Sequence, residues 1–261
     1  MPDQVDVFLP KREGGNVKHL VNFRTHSRCP FSRTTTLACA TDGTMALCTS
    51  IIDSTLDALL WEKPTLRASV ELIDSAASAK GTDIESIHTA YEARNGAGNH
   101  AHRRASIDRA LVLAVPHVRS LMETRMRLRL YELGFPAPLV EPWLYDHDRA
   151  TTFLGKPDLF YPQYRAALEY DGLGKLLNPS EGTSAEALIR HRHRSDRIAS
   201  NDVWMIHVDS TSWKSGLWLD DVTAALKRKV DPFPDRQMRF MVPAWPKRFD
   251  THPQWRWNLD K

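Results

Sequence analysis

The chain has 261 residues, of which 42% are hydrophobic and 26% charged, a balance typical of a folded protein with one or two domains. No apolar run approaches the roughly 20 residues that span a bilayer, and the polar N-terminus lacks the apolar centre of a signal peptide. Three cysteines without CxxC spacing indicate neither a disulfide framework nor a zinc knuckle. We therefore expect a cytoplasmic protein with no membrane partner.

The first part of the chain has a mainly helical pattern. Weak alternation in the first 48 residues, for example at Val5, Val7 and Leu9, predicts short strands. From residue 49 to about residue 115, apolar residues recur at helical spacing, and Thr82 with Glu85 has the pattern of a capping box. We predict a mainly helical N-terminal domain over residues 1–116.

The pattern changes after Pro116. A helix is predicted from Ser120 to a left-handed cap at Gly134, because glycine adopts positive φ without steric cost. Strands are predicted over residues 139–145, 154–161, 165–171 and 203–208, with a basic helix over 184–200 before the last strand. The sequence thus predicts an α/β domain over residues 117–230.

Residues 231–261 form a basic tail rich in proline and tryptophan. The composition predicts an extended arm. Two roles remain open, since such an arm can wrap the core or can stack its aromatic rings on nucleic-acid bases.

A hairpin is predicted around Pro162. A type I turn over residues 162–165 would pair Tyr161 with Ala166 and, by continuation, Asp158 with Glu169. Asp171 lies two residues further on and shares their face. The sequence therefore predicts three carboxylates on one face of the hairpin.

Facing carboxylates repel one another unless a cation lies between them. A divalent metal such as Mg²⁺ or Mn²⁺ would provide that charge, with Asp158 and Glu169 as oxygen ligands. Lys175, after a short glycine-containing turn, could bring its ammonium to the same face. The alternative is a surface ion-pair network with Arg165, Lys156 or Arg190.

Glu123 has two interpretations of its own. It stands three residues after Ser120, so it could close a capping box at the start of the helix. It could also point towards the acids of the hairpin.

At these residues the sequence resembles the very-short-patch-repair-like branch of the PD-(D/E)XK nuclease superfamily, including AbiEi-like and endonuclease-domain proteins of actinobacteria and their phages. The resemblance covers roughly residues 116–215 and is carried by Ser120-Leu-Met-Glu, Leu133-Gly-Phe-Pro, Gly155-Lys-Pro-Asp-Leu and Glu169-Tyr-Asp-Gly. It implies a restriction-endonuclease-like core, a mixed central sheet flanked by helices. It also implies Glu123, Asp158 and Glu169 as metal-linked acids, with the Tyr170 carbonyl as a backbone ligand.

Two positions depart from the family pattern. The lysine usual two residues after the glutamate is Asp171 here, and the histidine three residues after the glycine is Lys175. A lysine holds charge near phosphate but is a poor general base unless its pKa is depressed. Basic residues on the flanking helices are candidates for DNA phosphate contacts, although solvated helix faces are the alternative: Arg125, Arg190, Arg194 and Arg197.

Two functions follow from the sequence. The first is a Mg²⁺- or Mn²⁺-dependent DNA endonuclease in which Asp158, Glu169, Asp171, Lys175 and Glu123 carry the chemistry. The second is a DNA-binding or regulatory protein on a decayed nuclease scaffold, of a toxin–antitoxin or phage-defence type. The preferred DNA, the role of the N-terminal domain and the choice between monomer and homodimer are left open.

Overall fold

A computed structural model of the chain describes residues 5–8, 23–26, 34–38, 45–62, 64–79, 82–95, 101–116, 118–146, 152–172 and 184–239. The chain divides into two compact units, residues 1–62 and residues 63–261. No helix in the described ranges is long and apolar enough to cross a membrane.

The first unit contains short strands and one helix. Strand β1 (Val5–Phe8) pairs in parallel with β2 (Phe23–His26), and β3 (Thr34–Ala38) pairs antiparallel with β4 (Met45–Thr49). Helix α1 (Ile51–Trp61) begins at Ser50, whose hydroxyl accepts a hydrogen bond from the amide of Asp53. The predicted short strands are thus confirmed at β1, whereas residues 9–22 lie outside the described residues.

Four helices open the second unit: α2 (Leu66–Ala77), α3 (Ile84–Asn95), α4 (Ala101–Leu113) and α5 (Leu121–Glu132). The cap of α3 lies one residue after the predicted position Thr82. The Asp83 carboxylate accepts the hydrogen bond from the amide of Ser86. A carboxylate is a stronger hydrogen-bond acceptor for a helix amide than the hydroxyl of Thr82.

Helices α2 and α5 are joined by a buried ion pair. Asp74 of α2 lies 2.7 Å from the Arg127 guanidinium of α5, and it also accepts hydrogen bonds from the Thr124 hydroxyl and the Val115 amide. Both charged side chains are only 1% exposed. Helices α2, α3 and α4 belong, with α5, to the unit of residues 63–261, whereas α1 belongs to the unit of residues 1–62. The domain boundary expected at residue 116 stays a prediction.

Helix α5 has the predicted ends. The Ser120 hydroxyl accepts from the amide of Glu123, and Gly134 adopts φ +76° just after the helix. Both features confirm the capping chemistry indicated by the sequence.

The predicted strands 139–145 and 154–161 are each broken in two. The first forms β5 (Leu139–Val140) and β6 (Trp143–Tyr145), and the second forms β7 (Phe153–Gly155) and β8 (Leu159–Tyr161). A proline lies within each break, Pro142 in the first and Pro157 in the second, and proline cannot donate to a strand ladder.

The next three elements follow the predicted order: β9 (Ala166–Tyr170), α6 (Ser184–Ala199) and β10 (Trp204–Val208). Three further elements, which the sequence did not predict, come after them: α7 (Ser210–Ser215), α8 (Trp218–Ala225) and β11 (Met238–Arg239). One sheet has the order β10-β9-β8-β5 and a second has the order β11-β6-β7. The first sheet is mixed, since β10 and β9 are parallel while the other neighbours are antiparallel.

The mixed sheet is covered on both faces. Leu159, Leu168 and Ile206 form a core with Met126 of α5 and Trp218 of α8. Phe160 and Ala167 pack on the opposite face with Ile198 of α6, Leu154 of β7 and Phe233. The expected α/β class, a mixed sheet flanked by helices, is confirmed.

The start of the predicted tail belongs to this core. Phe233 is 2% exposed, its ring meets that of Phe160 edge-on at 5.5 Å, and its amide donates to the Pro162 carbonyl. Strand β11 then pairs with β6. Residues 231–239 therefore wrap the core, and residues 240–261 lie outside the described residues.

Candidate functional site

The site is built on the hairpin of β8 and β9, whose predicted register is confirmed. Tyr161 pairs with Ala166, Phe160 with Ala167 and Leu159 with Leu168. The turn is a short 3-10 helix over Pro162–Tyr164, and the Arg165 amide donates to the Pro162 carbonyl. This register places Asp158 across from Glu169 at the open end of the hairpin.

The Asp158 carboxylate is buried and anchored to the neighbouring strand. Its Oδ2 atom accepts a hydrogen bond of 2.7 Å from the amide of Tyr170, between Glu169 and Asp171. The Asp158 carbonyl accepts a second hydrogen bond, from the amide of Glu141. Two backbone donors thus fix Asp158 beside both other acids of the hairpin.

Glu141 occupies the break between β5 and β6 and brings a further carboxylate to this edge. Its φ of 48° lies in the left-handed region, and its side chain is 5% exposed. Arg119 Nε lies 2.7 Å from one carboxylate oxygen and Lys156 Nζ lies 2.5 Å from the other. Sequence reasoning missed Glu141, although the following Pro142 indicates an interrupted strand.

Glu123 lies among these acids and also caps its helix. Its oxygens accept hydrogen bonds of 3.0 Å from the Arg119 amide and from the Ser120 hydroxyl. Burial, and then the negative charge of Asp158, raise the pKa of Glu123 to about 7. The Glu123 carboxyl group thus caps the start of α5 through the Arg119 amide and the Ser120 hydroxyl, without the Ser120 amide contact of a capping box, and its charge interacts with that of Asp158. Its role in a metal site stays a prediction.

Glu169 is the most deeply buried acid of the hairpin, at 1% exposure. Its Oε1 atom lies 3.1 Å from Nη2 of Arg194, and its Oε2 atom accepts from the Ser195 hydroxyl at 3.3 Å. Arg194 is 30% exposed on α6. This ion pair differs from the alternative network expected with Arg165, Lys156 or Arg190, and it places Arg194 at the carboxylates.

A histidine that the sequence did not identify completes the group. His207 of β10 is paired in register with Glu169 of β9, so their side chains lie next to each other on one face. His207 Nδ1 lies 3.0 Å from Asp171 Oδ2, and ligand atoms from Glu169, Asp171 and His207 all lie within 4.8 Å of one another. Oxygen and imidazole nitrogen donors at this spacing fit a divalent metal ion.

Several predicted residues lie away from the acids or outside the described residues. Lys175 falls outside the described residues, as does the side chain of Arg190. Arg125 is paired with Glu71 of α2 at 2.9 Å, and Arg197 is exposed on α6. Tyr170 contributes its amide to Asp158, while its side chain packs against the core on the α5 side of the sheet.

A cleft of about 610 Å³ adjoins the Glu141 edge. The start of α5 and the last turn of α2 form its walls, and its polar lining includes Ser75, Ser78, Arg119, Ser120, Glu141 and Lys156. Arg119 and Lys156 line this cleft while each is paired with Glu141. Protein-family models, curated proteins and solved structures all give no match to this chain.

Proposed function

We propose that the chain is a metal-dependent DNA endonuclease with a PD-(D/E)XK-type core. The observation that carries the proposal is the hairpin itself, in which Asp158 is bonded to the amide that separates Glu169 from Asp171. Facing acids on paired strands repel one another, and a bound divalent cation would offset this repulsion together with the Arg194 guanidinium that already pairs with Glu169.

The donor set fits a divalent ion, Mg²⁺ or Mn²⁺, with Asp158 and Glu169 as the acids that hold it. Such an ion, when bound, activates water and stabilises negative charge on the leaving oxygen of a phosphodiester. Tyr170 follows Glu169 and donates its amide to Asp158, and its carbonyl is the further ligand that the resemblance implies. Arg119 and Lys156 line the adjoining cleft and can bind phosphate oxygens of the DNA backbone.

Glu123 adds a proton carrier to the site. In the metal-free chain its pKa of about 7 lets it exchange a proton near neutral pH, which is the property that a general acid or base needs. Its hydrogen bonds to Arg119 and Ser120 fix the carboxyl group where it faces Asp158. Asp171 and Lys175 stand where the family pattern has other residues, so the proposed chemistry depends first on Asp158, Glu169 and Glu123.

Cleavage of plasmid DNA by the purified full chain, with Mg²⁺, with Mn²⁺ and with EDTA, tests this function. We expect metal-dependent nicking that falls at least about a hundredfold in Asp158→Asn, because several kcal/mol of charge stabilisation is removed. Asp220→Asn, at an exposed aspartate of α8, is the matched control and should cut normally. Absence of cutting by the wild type, or equal cutting by Asp158→Asn, would refute the proposal.

A second candidate is a DNA-binding or regulatory protein on a decayed nuclease scaffold, such as a toxin–antitoxin or phage-defence component. Two observations favour it: Asp171 in place of the usual lysine, and the Arg194 guanidinium already paired with Glu169. This function predicts salt-dependent DNA binding that is equal in EDTA and in Mn²⁺. Binding that requires the metal would favour the endonuclease.

A further inference from the structure

We propose that Glu169, Asp171 and His207 form a site for a divalent transition-metal ion, preferred over Mg²⁺. The inference rests on the proposed function and deepens it, since it names the metal class and adds Asp171 and His207 to the ligands. The site shares Glu169 with the acids of the endonuclease proposal and lies on the side of Glu169 towards β10.

The backbone brings the three side chains together. Strands β9 and β10 are parallel with His207 opposite Glu169, and the Asp171 amide continues the ladder by donating to the Val208 carbonyl at 2.8 Å. Glu169, Asp171 and His207 therefore project on one face at neighbouring positions. Their placement is set by the sheet and does not depend on a loop.

The distances suit one shared ion. Ligand atoms at about 2.1 Å from a metal lie about 3 to 4 Å from each other. The measured separation of 3.0 Å between His207 Nδ1 and Asp171 Oδ2 falls in this range, and the whole group lies within 4.8 Å. Small side-chain rotations would place all three ligand atoms on one ion.

Arg194 and Ser195 hold the buried carboxylate in place. A carboxylate offers about four acceptor positions, so Glu169 can ligate an ion while it keeps the Arg194 guanidinium and the Ser195 hydroxyl. Hydrogen bonds of this kind orient metal-ligating carboxylates and strengthen binding. Asp171 and His207 are partly exposed, at 36% and 41%, so solvent reaches the open side of the site.

The imidazole selects the metal. Mg²⁺ prefers oxygen ligands, whereas a mixed set of imidazole nitrogen and carboxylate oxygen suits Mn²⁺, Zn²⁺ and related ions. The short distance between His207 and Asp171 would by itself indicate only a hydrogen bond. The buried Glu169 beside them supplies the third ligand that a metal site needs.

Mn²⁺ binding to the full, tag-free chain without DNA tests the inference. Electron spin echo spectroscopy of bound Mn²⁺ should detect nitrogen coupling in the wild type, and the coupling should disappear in His207→Gln. Mn²⁺ affinity should fall about tenfold or more in His207→Gln and in Asp171→Asn. Mg²⁺ should displace Mn²⁺ only at large excess.

One variant serves as the matched control. His193→Gln removes an exposed histidine of α6 outside the group and should keep both the coupling and the affinity. Circular dichroism confirms that each variant is folded.

Absence of nitrogen coupling in the wild type, its persistence in His207→Gln, or its loss in His193→Gln would overturn the inference. Because no DNA is present, the result is independent of cleavage. A chain that binds Mn²⁺ through nitrogen without cutting DNA keeps this site and refutes the endonuclease. A chain that cuts DNA but shows no nitrogen ligand on Mn²⁺ supports the endonuclease and refutes this site.

Discussion

A buried carboxyl group beside a second carboxylate is the central electrostatic feature at the scale of single residues. Glu123 is 1% exposed and lies near the charges of Asp158 and Glu141. Desolvation and like charges both favour its neutral form. Its protonation therefore couples the stability of the fold to pH in the neutral range.

This coupling gives the first prediction, for Glu123→Gln in EDTA. The folded pKa of about 7 lies above the ordinary value of 4.5, so the native state binds a proton more tightly than the unfolded chain. Stability that is complete below pH 4.5 is therefore lost as the pH rises through 7. The neutral glutamine removes this dependence.

Urea unfolding at pH 5 and pH 8 measures the effect. The free energy of unfolding of the wild type, relative to Glu123→Gln, should fall by roughly 2 to 3 kcal/mol between these values. Glu132→Gln, at a surface glutamate of the same helix, should show no such change relative to the wild type. Parallel pH profiles for wild type and Glu123→Gln would contradict the assignment.

The residues of the hairpin differ in how well the sequence predicts them. Asp158 and Glu169 could be paired from sequence because Pro162 defines a local turn and the register then follows. His207 could not, since its neighbour Glu169 is reached through a parallel pairing across a long connection. Nothing local in β10 specifies that pairing.

At the scale of elements, the contact of α2 with α5 depends on the buried pair of Asp74 and Arg127. Removing Asp74 leaves the guanidinium buried without its counter-charge. We predict that Asp74→Ala lowers the free energy of unfolding by about 3 to 5 kcal/mol. Urea unfolding measures it.

A second ion pair between the same helices provides the control. Glu71 and Arg125 are more exposed, at 15% and 39%. Glu71→Ala should therefore cost less than about 1 kcal/mol. Equal losses in the free energy of unfolding for Asp74→Ala and Glu71→Ala would show that burial does not strengthen the Asp74–Arg127 pair.

The packing of α6 on β7 leads to a third prediction. A methyl group at Gly155 would lie 2.6 Å from Ile198 Cδ1 and 2.9 Å from Arg194 Cγ. Gly155→Ala should therefore push α6 away and cost about 1 to 3 kcal/mol in urea unfolding. It should also weaken Mn²⁺ binding, because Arg194 orients Glu169.

Gly216→Ala is the control for this steric effect, because it adds the same methyl group at a glycine that has no close neighbour. Gly216 has φ +80° with nothing within 4 Å of the added atom. The variant should be destabilised by about 1 kcal/mol through left-handed strain and should keep the wild-type Mn²⁺ affinity. Unchanged Mn²⁺ affinity in Gly155→Ala would contradict the role given to Arg194.

The elements also show where sequence patterns are insufficient. Helix α5 has both of its predicted ends because serine and glycine caps are local signals. The strands predicted over residues 139–145 and 154–161 are each broken in two. Pro142 and Pro157 interrupt their hydrogen-bond ladders, and Glu141 adopts φ 48°. Apolar alternation carries no information about such breaks.

For the whole molecule, the proposed DNA interaction is electrostatic. The net charge of +3 is small, but α6 carries two exposed arginines, Arg192 and Arg197. We predict that the double variant Arg192→Gln/Arg197→Gln binds DNA more weakly. The slope of log affinity against log salt should decrease by about 0.9 for each DNA phosphate that the variant no longer neutralises.

Fluorescence anisotropy with a labelled duplex measures these slopes. Arg67→Gln is the matched control, because Arg67 is exposed on α2 and paired with Glu132. It should retain the wild-type slope. An unchanged slope in the α6 variant would place the DNA-binding surface elsewhere.

The proposed function joins a metal ion at the hairpin acids with a DNA phosphate, and a single experiment tests both. It is anomalous diffraction from crystals of the full chain grown with Mn²⁺ and a short, non-hydrolysable DNA duplex. We expect a manganese peak bonded to Glu169 and to a phosphate oxygen of the DNA. No manganese at Glu169, or manganese there with the DNA bound elsewhere, would contradict the proposed function.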